Sequence, residues 1–522
     1  MLRTFKTILI VFLAIQIRTS LAQNTAGTNE VIYHIFLRSF YDSNGDDHGD
    51  LKGLEEKLDY LQDLGVTSIL LTPINSSVYY HNYFSDDFEK IDQEYGTMPD
   101  YISLARNVHR RGMKIYLDME TQYVTEDHLW WKDSYGNLKS PYSEFPLYED
   151  AKHLELSTII YGLTGLTGYD NVHRKITTVN LRSKKVLDYN VKLFRLFIDP
   201  NKDGKFDDGA DGFRLDHAMD SLDMKPQLTG LFENFWKPLI TQIKETNPDL
   251  TIMAEQANWA NYGTDYLTKA NVDLVFAFNI LGGIASFDKE RITKAIDATL
   301  AHTPAGKRQI VFIENHDVQR FATTVNKDIR KLKLGAAMNL CLGQVPSIYY
   351  GQELGMTGAH REFNRTDGND ILLREAFEWN KSDEGKGMAL WYKNTGPWWN
   401  ESNLKADDGV SLEEEKADAK SLYNYYKWLL NLRKNNSALH SGAYQVVENY
   451  NENVFSFLRR DGKQTFLVVV NLSDSNQKID LALGKLDISR VYFVSPGGKP
   501  TGLGPNVLVA LQPYDVHIWK CE

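Results

Sequence analysis

Four carboxylates follow short apolar runs that each predict a β-strand. Asp118 ends the third run, Asp216 and Glu255 follow the fourth and fifth, and Asp317 follows the seventh. Arg214 lies two residues before Asp216. A single carboxylate after a strand is more often a helix cap. The carboxyl ends of parallel strands in a barrel converge, however, and several carboxylates are unfavourable there unless they serve a function.

Paired carboxylates are suited to the hydrolysis of glycosidic bonds. One attacks the anomeric carbon and the other protonates the leaving oxygen, and a separation of about 5–5.5 Å leads to retention of configuration. A guanidinium such as that of Arg214 keeps the attacking carboxylate ionised, and a raised pKa lets the other carboxyl donate its proton. The residue types therefore predict a glycosidase site.

Two loops place oxygen-bearing side chains at alternate positions, as calcium-binding loops do. Both lack the closing Glu of an EF-hand, and solvated acidic turns are the alternative, because Asp, Asn and Gly form turns readily. We favour calcium for the first loop, because the family resemblance described below adds to its spacing, and leave both interpretations open for the second. The candidate ligands are Asp42, Asn44, Asp46, His48 through its carbonyl and Asp50 in the first loop, and Asp199, Asn201, Asp203 and Asp207 in the second.

The elements around these residues alternate regularly between about residues 31 and 350. Eight short strands separated by amphipathic helices predict an α/β fold, a (β/α)8 TIM barrel. The predicted strands are 31–36, 67–71, 114–118, 212–215, 251–254, 274–278, 309–313 and 347–350, and the predicted helices include 54–64, 102–111, 228–244, 291–300 and 329–342.

Two regions depart from this alternation. Residues 119–187 are rich in Tyr, Gly, Trp and Ser without a clear helical period, which predicts a small excursion subdomain, subdomain B, after the third strand. After residue 434, short apolar runs separated by turn residues predict a C-terminal all-β sandwich domain. The predicted domains are a signal peptide at 1–22, the catalytic barrel at 23–118 and 188–438, the excursion at 119–187, and the β-sandwich at 439–522.

The motifs at the strand ends resemble those of the α-amylase superfamily, glycoside hydrolase family 13. The run 211–216 (DGFRLD) resembles its fourth-strand signature, Glu255 matches its fifth-strand Glu, and 314–317 (ENHD) resembles its seventh-strand signature. The resemblance extends from about residue 31 to the C-terminus. Further matches are 40–46 (FYDSNGD), 346–351 (PSIYYG) and 374–379 (REAFEW), where Ala376 and Phe377 replace the usual Pro-Met.

The resemblance implies a role for each matching residue. Asp216 would be the nucleophile, Glu255 the general acid/base and Asp317 the stabiliser of the transition state. It also implies α-glucan oligo- or polysaccharides as substrate and Ca²⁺ as cofactor. The implied sugar-binding residues are Tyr83 as a stacking platform, Arg214, His316 and, at the position of the usual histidine, Tyr123, with Asp118 as a structural residue.

The third-strand motif departs from the family pattern D-x-x-x-N-H. Gln122 replaces an asparagine that binds calcium, and Tyr123 replaces a histidine that binds sugar, so the calcium site between barrel and excursion and the contacts of the cleaved sugar are open questions. After the nucleophile, Met219 and Asp220 replace a Lys-His pair, which weakens an endo-amylase interpretation. Phe84 stands where many α-glucosidases have an Asp.

Charge and the N-terminal residues predict the environment of the protein. The net charge is 58 − 69 = −11, which argues against a nucleic-acid partner. Residues 1–22 combine a basic start, an apolar stretch too short for a membrane span and a small-residue cleavage site, which predicts a cleavable signal peptide and a secreted or periplasmic protein. The sequence leaves the oligomeric state open.

We therefore predict an exported retaining glycoside hydrolase that cleaves α-glucosidic bonds, the α-1,4 links of starch or maltodextrins, by double displacement. One alternative keeps this chemistry but is a transglycosylase or an α-1,6 or exo-acting glucosidase. A further alternative is a non-catalytic glycan-binding relative, which the complete carboxylate set disfavours. Chain-length preference and endo or exo cleavage are not determined by the sequence.

Overall fold

The computed structural model describes residues 29–363, 367–482, 492–493 and 506–521, so the predicted signal peptide lies outside the described residues. Strands and helices are numbered in chain order. The strands are β1 (Ile32–Ile35), β2 (Ser68–Leu71), β3 (Asn75–Ser76), β4 (Asp87–Ile91), β5 (Lys114–Met119), β6 (Tyr123–Thr125), β7 (Gly165–Thr167), β8 (His173–Thr178), β9 (Gly212–Leu215), β10 (Thr251–Ala254), β11 (Leu274–Phe276), β12 (Arg308–Val311), β13 (Val345–Tyr349), β14 (Ala443–Val446), β15 (Val454–Arg460), β16 (Thr465–Asn471), β17 (Gln477–Ala482), β18 (Tyr492–Phe493), β19 (Asn506–Leu511) and β20 (Val516–Cys521).

The α-helices lie mainly between the barrel strands. They are α1 (Leu51–Glu56), α2 (Leu58–Leu64), α3 (Met98–Arg110), α4 (Leu129–Ser134), α5 (Lys184–Ile198), α6 (Lys237–Thr246), α7 (Phe278–Ala285), α8 (Lys289–Ala301), α9 (Phe321–Thr324), α10 (Ile329–Cys341), α11 (Pro397–Asn400), α12 (Leu412–Ala417), α13 (Leu422–Lys434) and α14 (Ser437–Ser441). Among the described residues, none of these helices is both long and apolar enough to cross a bilayer.

Eight parallel strands close into a barrel in the order β1-β13-β12-β11-β10-β9-β5-β2. All eight predicted barrel strands are present, and the predicted (β/α)8 fold with a C-terminal β-domain is confirmed. Alternate side chains along each strand point to opposite faces. In β1, Ile32 joins the small apolar cluster inside the barrel, whereas Tyr33 and Ile35 join the large core that includes the surrounding helices.

Local sequence signals explain where several helices begin. Thr97 caps α3, because its side chain accepts a hydrogen bond from the backbone N–H of Asp100 while Asp100 bonds back to Thr97. The buried residues of α3 recur at helical spacing, which places one apolar face against the barrel. These residues are Tyr101, Leu104, Ala105 and Val108.

Two helices differ from the predictions. The predicted helix 54–64 is divided at Lys57 into α1 and α2. Residues 228–244 contain a helix that begins only at Phe232, with a π-helical turn before α6.

The excursion after β5 contains the sheet β6-β8-β7 and the short helix α4. The predicted boundary of the excursion at residue 187 falls within α5, which begins at Lys184. Val186, Asn190, Val191 and Phe194 form the buried side of its first turns. The spacing of these apolar residues becomes clear only beyond the boundary, where α5 packs against α6.

The C-terminal region forms an antiparallel sheet, β14-β15-β16-β20-β18, and a second pair, β17-β19. One apolar cluster includes residues from both sheets, such as Val469 and Trp519 from the first and Ile479 and Val509 from the second. Side chains of two facing sheets that share a core define a sandwich. Of the predicted run 491–494, only Tyr492–Phe493 lies within the described residues.

Candidate active site

The carboxyl ends of three barrel strands gather carboxylates around one guanidinium. Arg214 in β9 is only 1% exposed. Its Nη1 contacts Asp118 and lies 2.7 Å from Asp216 Oδ1, while its Nη2 lies 2.7 Å from Glu255 Oε2. This arrangement follows from the strand register, because Arg214 pairs with Asp118 in β5 on one side and with Met253 in β10 on the other.

Gly212 permits the close approach of β9 to β10. A Cβ atom at this position would lie 1.9 Å from the carbonyl oxygen of Thr251, its partner in the register. Glycine therefore stands two residues before Arg214 because no side chain fits there.

Tyr83 joins this group to the residues that follow β12. Its hydroxyl donates to Asp118 Oδ2 at 2.8 Å and lies 2.8 Å from His316 Nε2. The two rings are nearly parallel, with centroids 5.5 Å apart. His316 Nε2 lies 3.0 Å from Asp317 Oδ2, so the predicted residues of the two strand ends form one connected network.

Arg374 completes the network, although the sequence identified it only as part of a motif. Its Nη2 lies 3.1 Å from Asp317 Oδ1, and its Nε donates to the His316 carbonyl at 3.0 Å. Its Nη1 donates to the hydroxyl of Tyr80 at 2.7 Å. Because 57 residues separate Arg374 from Asp317, spacing along the chain could not indicate this contact.

The environments of Glu255 and Asp317 shift their pKa values in opposite directions. Burial, with the neighbouring charges of Asp216 and Asp317, raises the pKa of Glu255 to about 7 despite the nearby Arg214. Burial also opposes ionisation of Asp317, but contacts with His316 and Arg374 outweigh it and lower the pKa of this carboxyl below its usual range. One carboxyl is therefore available as an acid near neutral pH, and the other stays ionised.

Asp118 and Asp216 lie between these extremes. The pKa of Asp118 is raised to about 6, and that of Asp216 is also raised. Burial is the main cause in both, and Arg214 offsets only part of its effect. Burial lowers the pKa of His316, which favours its neutral form. One buried cation is thus shared among more carboxyls than it can neutralise.

Tyr123 occupies a different environment from the other predicted sugar-binding residues. It is buried, and its hydroxyl lies 2.9 Å from both carboxylate oxygens of Asp223. Asp223 also contacts His217 at 3.1 Å and Lys225 at 3.2 Å. No sequence signal marks Asp223. The predicted contact of Tyr123 with sugar stays a prediction.

Gln122 reaches the strand that carries the nucleophile candidate. Its side-chain amide donates to the backbone carbonyl of Asp216 at 2.6 Å. Next to it, Glu120 is buried, and burial raises the pKa of its carboxyl well above the usual range. Of the two departures from the family motif, Gln122 therefore contacts the backbone of Asp216 directly, whereas Tyr123 contacts Asp223.

In the first predicted calcium loop, backbone N–H groups of the loop donate hydrogen bonds to the loop's own carboxylates. Asp42 accepts hydrogen bonds from the backbone N–H groups of Asn44, Gly45 and Asp47 at 3.0, 2.7 and 2.9 Å. Asp50 caps α1. Carboxylate and amide oxygens in one tight turn are the donor set that calcium prefers. The predicted ligands are Asp42, Asn44, Asp46, the His48 carbonyl and Asp50.

The second loop has a similar pattern before β9. Asp199 accepts hydrogen bonds from the backbone N–H groups of Asp203 and Gly204, and Asn201 accepts one from Asp203. The carbonyl of Asp207 lies 2.8 Å from His109 Nδ1. Within the described residues, neither loop brings three or more His, Cys, Asp or Glu side chains into one metal-binding cluster.

A (β/α)8 barrel that holds one carboxyl of raised pKa and one of lowered pKa at the ends of its strands provides the acid and the carboxylate that glycoside hydrolases use. The family model for the alpha-amylase catalytic domain matches residues 34–442, and that for the maltogenic amylase C-terminal domain matches residues 444–518. The chain belongs to the alpha-amylase family. It is an enzyme of the hydrolase and transglycosylase group that acts on α-glucosides.

The relatives of this chain include proteins named as alpha-amylases and proteins named as oligo-1,6-glucosidases. Alpha-amylase 3 of Dictyoglomus thermophilum is 28% identical over 452 residues, which cover 85% of each chain. Probable oligo-1,6-glucosidase 3 of Bacillus subtilis is 26% identical, and the match covers 94% of this chain and 98% of the relative. The crystal structure of the α-amylase from H. orenii superposes with a TM-score of 0.77 at 25% identity, covering 94% of this chain and 99% of that one.

We expect Arg214→Met to make stability strongly dependent on pH. Without the guanidinium, the pKa values of the buried carboxyls rise further above their values in the unfolded chain. Such groups contribute stability only while protonated, so the free energy of unfolding falls as the pH rises, by about 3–5 kcal/mol relative to the native chain near neutral pH. Thermal unfolding between about pH 5 and pH 8 measures this.

The matched control is Arg330→Met, which removes an exposed ion pair with Asp328. Because this pair is screened by solvent, little change in the pH dependence of unfolding is expected there. An Arg214→Met protein as stable as the control across the pH range would contradict the central electrostatic role of Arg214.

Proposed function

We propose that this chain is an exported, retaining hydrolase that cleaves α-1,4 bonds of starch fragments or maltodextrins by double displacement. The observation that carries the proposal is the position of Asp216 and Glu255 on one guanidinium, each 2.7 Å from Arg214. Retaining glycosidases need two carboxyls a short distance apart, one ionised and one protonated.

Asp216 is the nucleophile in this proposal. Its Oδ1 accepts a hydrogen bond from Arg214 Nη1, which favours the ionised form and leaves Oδ2 for attack on the anomeric carbon. As the bond from Oδ2 to the anomeric carbon forms, the glycosidic C–O bond breaks and its electron pair stays with the leaving oxygen. Glu255 transfers its proton to that oxygen.

The second step returns the site to its starting state. Glu255, now ionised, removes a proton from water while the water oxygen attacks the anomeric carbon and displaces Asp216. Asp317 stays ionised beside Arg374 and stabilises the positive charge that develops on the sugar. Tyr83, Arg214 and His316 contact the sugar in the cleaved position, and Tyr123 stands at its border.

A second candidate keeps the intermediate but changes the bond or the acceptor. The name of the Bacillus subtilis relative includes oligo-1,6-glucosidase, and Met219 and Asp220 differ from the usual endo-amylase residues. Both observations favour an α-1,6-acting, exo-acting or transferring enzyme. Separation of the products of maltoheptaose by size distinguishes these possibilities, since early glucose indicates exo cleavage and products longer than the substrate indicate transfer.

The proposal also includes calcium binding by the loops and export of the chain. The loop 42–50 would hold a calcium ion through Asp42, Asn44, Asp46, Asp50 and the His48 carbonyl, and the second loop, through Asp199, Asn201, Asp203 and Asp207, is a further candidate. A bound ion there would stabilise the turn that precedes α1 and take no part in proton transfer. The composition of residues 1–22 supports export to the periplasm or the medium.

We expect Asp216→Asn to abolish turnover while the protein stays folded, because an amide cannot form the glycosyl intermediate. The rate should fall by at least about 10⁴-fold on maltodextrins, with a thermal midpoint close to that of the native chain. Asp249→Asn, the same change at an exposed aspartate before β10, is the control and should keep most activity. Activity of Asp216→Asn comparable with the native chain would refute the assignment.

The proposed acid role of Glu255 predicts the pH dependence. Because its pKa is raised to about 7 and the protonated form is needed first, kcat/KM on maltodextrins should decline as the pH rises through about 7. In kcat/KM, which reports formation of the glycosyl intermediate, Glu255→Gln should lose activity on sugar leaving groups but keep far more on a glycosyl fluoride, which departs without a proton. Equal losses of kcat/KM on both substrates would exclude Glu255 as the acid.

Calcium binding predicts a change in thermal stability. The midpoint of the native chain should be several degrees higher in excess calcium than with a chelator, since a ligand of the folded state stabilises it. Asp42→Asn should lose this difference, whereas Asp47→Asn, an equal charge change in the same loop, should retain it. Loss in Asp203→Asn instead would assign the ion to the second loop, and equal midpoints in the native chain would exclude both.

A further inference from the structure

Trp259 is an exposed aromatic residue beside the proposed acid. It lies four residues after Glu255, and 42% of its surface is exposed. Its indole Nε1 donates to Glu255 Oε1 at 3.2 Å. The mechanism above gives this residue no role, and the sequence motifs did not identify it.

A stack of aromatic rings holds the indole in place. Trp259 lies flat on Phe278, with centroids 4.5 Å apart and 7° between the ring planes. Phe278 in turn meets the edge of Phe312 at 5.0 Å, inside the barrel. One face of the indole is therefore covered by a rigid support. Its large exposed fraction leaves the other face to solvent, next to the carboxyl that protonates the leaving oxygen.

The two oxygens of Glu255 have different partners. Oε2 accepts a hydrogen bond from Arg214 Nη2 at 2.7 Å, inside the buried charge network. Oε1 accepts the longer bond, 3.2 Å, from the partly exposed indole, and the carboxyl of Glu255 also shares a hydrogen bond with Asp216, which faces it from the end of β9. The guanidinium cannot leave Oε2 without exposing three carboxylates to each other, so Oε1 is the oxygen that can carry the proton to an incoming substrate.

The indole N–H and the leaving oxygen compete for Oε1. A hydrogen bond donated to a carboxylate favours its ionised form and lowers its pKa. A substrate that takes the place of the N–H removes this effect and returns Glu255 to the protonated form needed for catalysis. A flat, supported indole also offers an apolar face to the C–H side of a pyranose ring.

We propose that Trp259 positions Glu255 through its indole N–H and serves as the stacking surface for the sugar that leaves, so that it selects sugar leaving groups. The inference rests on the proposed function, since it assigns the leaving-group side of the same site. The side chain of Trp259 then has two roles, positioning of Glu255 and stacking of the leaving sugar, and two substitutions can distinguish them.

Trp259→Phe keeps a ring that can stack on Phe278 but lacks the N–H. We expect the alkaline limb of its kcat/KM profile on maltotriose to move up by about half to one pH unit, because Glu255 loses a donor to its ionised form. Trp259→Ala lacks both features. It should show the same shift and, in addition, a reduction of about tenfold in the ratio of kcat/KM on maltotriose to kcat/KM on a glycosyl fluoride.

α-Glucosyl or α-maltosyl fluoride, whichever the native chain hydrolyses faster, serves as the reference substrate. Departure of fluoride needs neither a proton donor nor a stacking surface, so kcat/KM on this substrate reports the attack of Asp216 on the anomeric carbon. Tyr450→Ala, which removes a fully exposed aromatic side chain from the C-terminal domain, is the control and should change neither readout. Thermal unfolding verifies that each variant is folded.

The outcomes separate failure of the inference from failure of the proposed function. A native chain that hydrolyses neither fluoride nor maltotriose contradicts the proposed function itself. A native chain active on fluoride whose Trp259→Phe variant has an unchanged alkaline limb overturns the positioning role. An unchanged substrate ratio in Trp259→Ala overturns the stacking role.

Discussion

The guanidinium of Arg214 is the interaction on which the rest of the site depends. It is buried at the carboxyl end of the barrel and contacts Asp118, Asp216 and Glu255. Removing ions from water is strongly unfavourable unless opposite charges compensate for it. A single cation compensates only in part for three carboxylates, and burial raises the pKa of all three. The pKa of Glu255 is raised to about 7, which makes this carboxyl available as an acid near neutral pH.

The barrel supplies the rigidity that this charge arrangement requires. Neighbouring strands fix Arg214 next to Asp118 through backbone register rather than through flexible loops. Gly212 allows β9 to approach β10 closely. Tyr83 links Asp118, and with it Arg214, to His316. Asp317 contacts His316 and Arg374 instead, and these contacts outweigh burial and lower its pKa, whereas burial raises the pKa of Glu255. The two carboxyls thus differ in pKa because they have different partners.

The sequence predicted the barrel and the carboxylates at the ends of its strands because both depend on local patterns. A strand such as 212–215 is a short apolar run, and Asp216 follows it directly. Contacts between distant segments could not be predicted in the same way. The ion pair of Arg374 with Asp317, the bond of Tyr123 with Asp223 and the stacking of Trp259 arise only when loops from different strands meet. Helix α5 was missed because its apolar spacing continues past a boundary chosen from composition.

The most direct test of the account is the anomeric form of the first product. Proton NMR spectra recorded within the first minutes of maltoheptaose hydrolysis distinguish α- from β-anomers before mutarotation mixes them. Double displacement through Asp216 predicts that the α-anomer appears first. Initial release of the β-anomer would mean that water attacks the sugar directly, and it would contradict the covalent role proposed for Asp216.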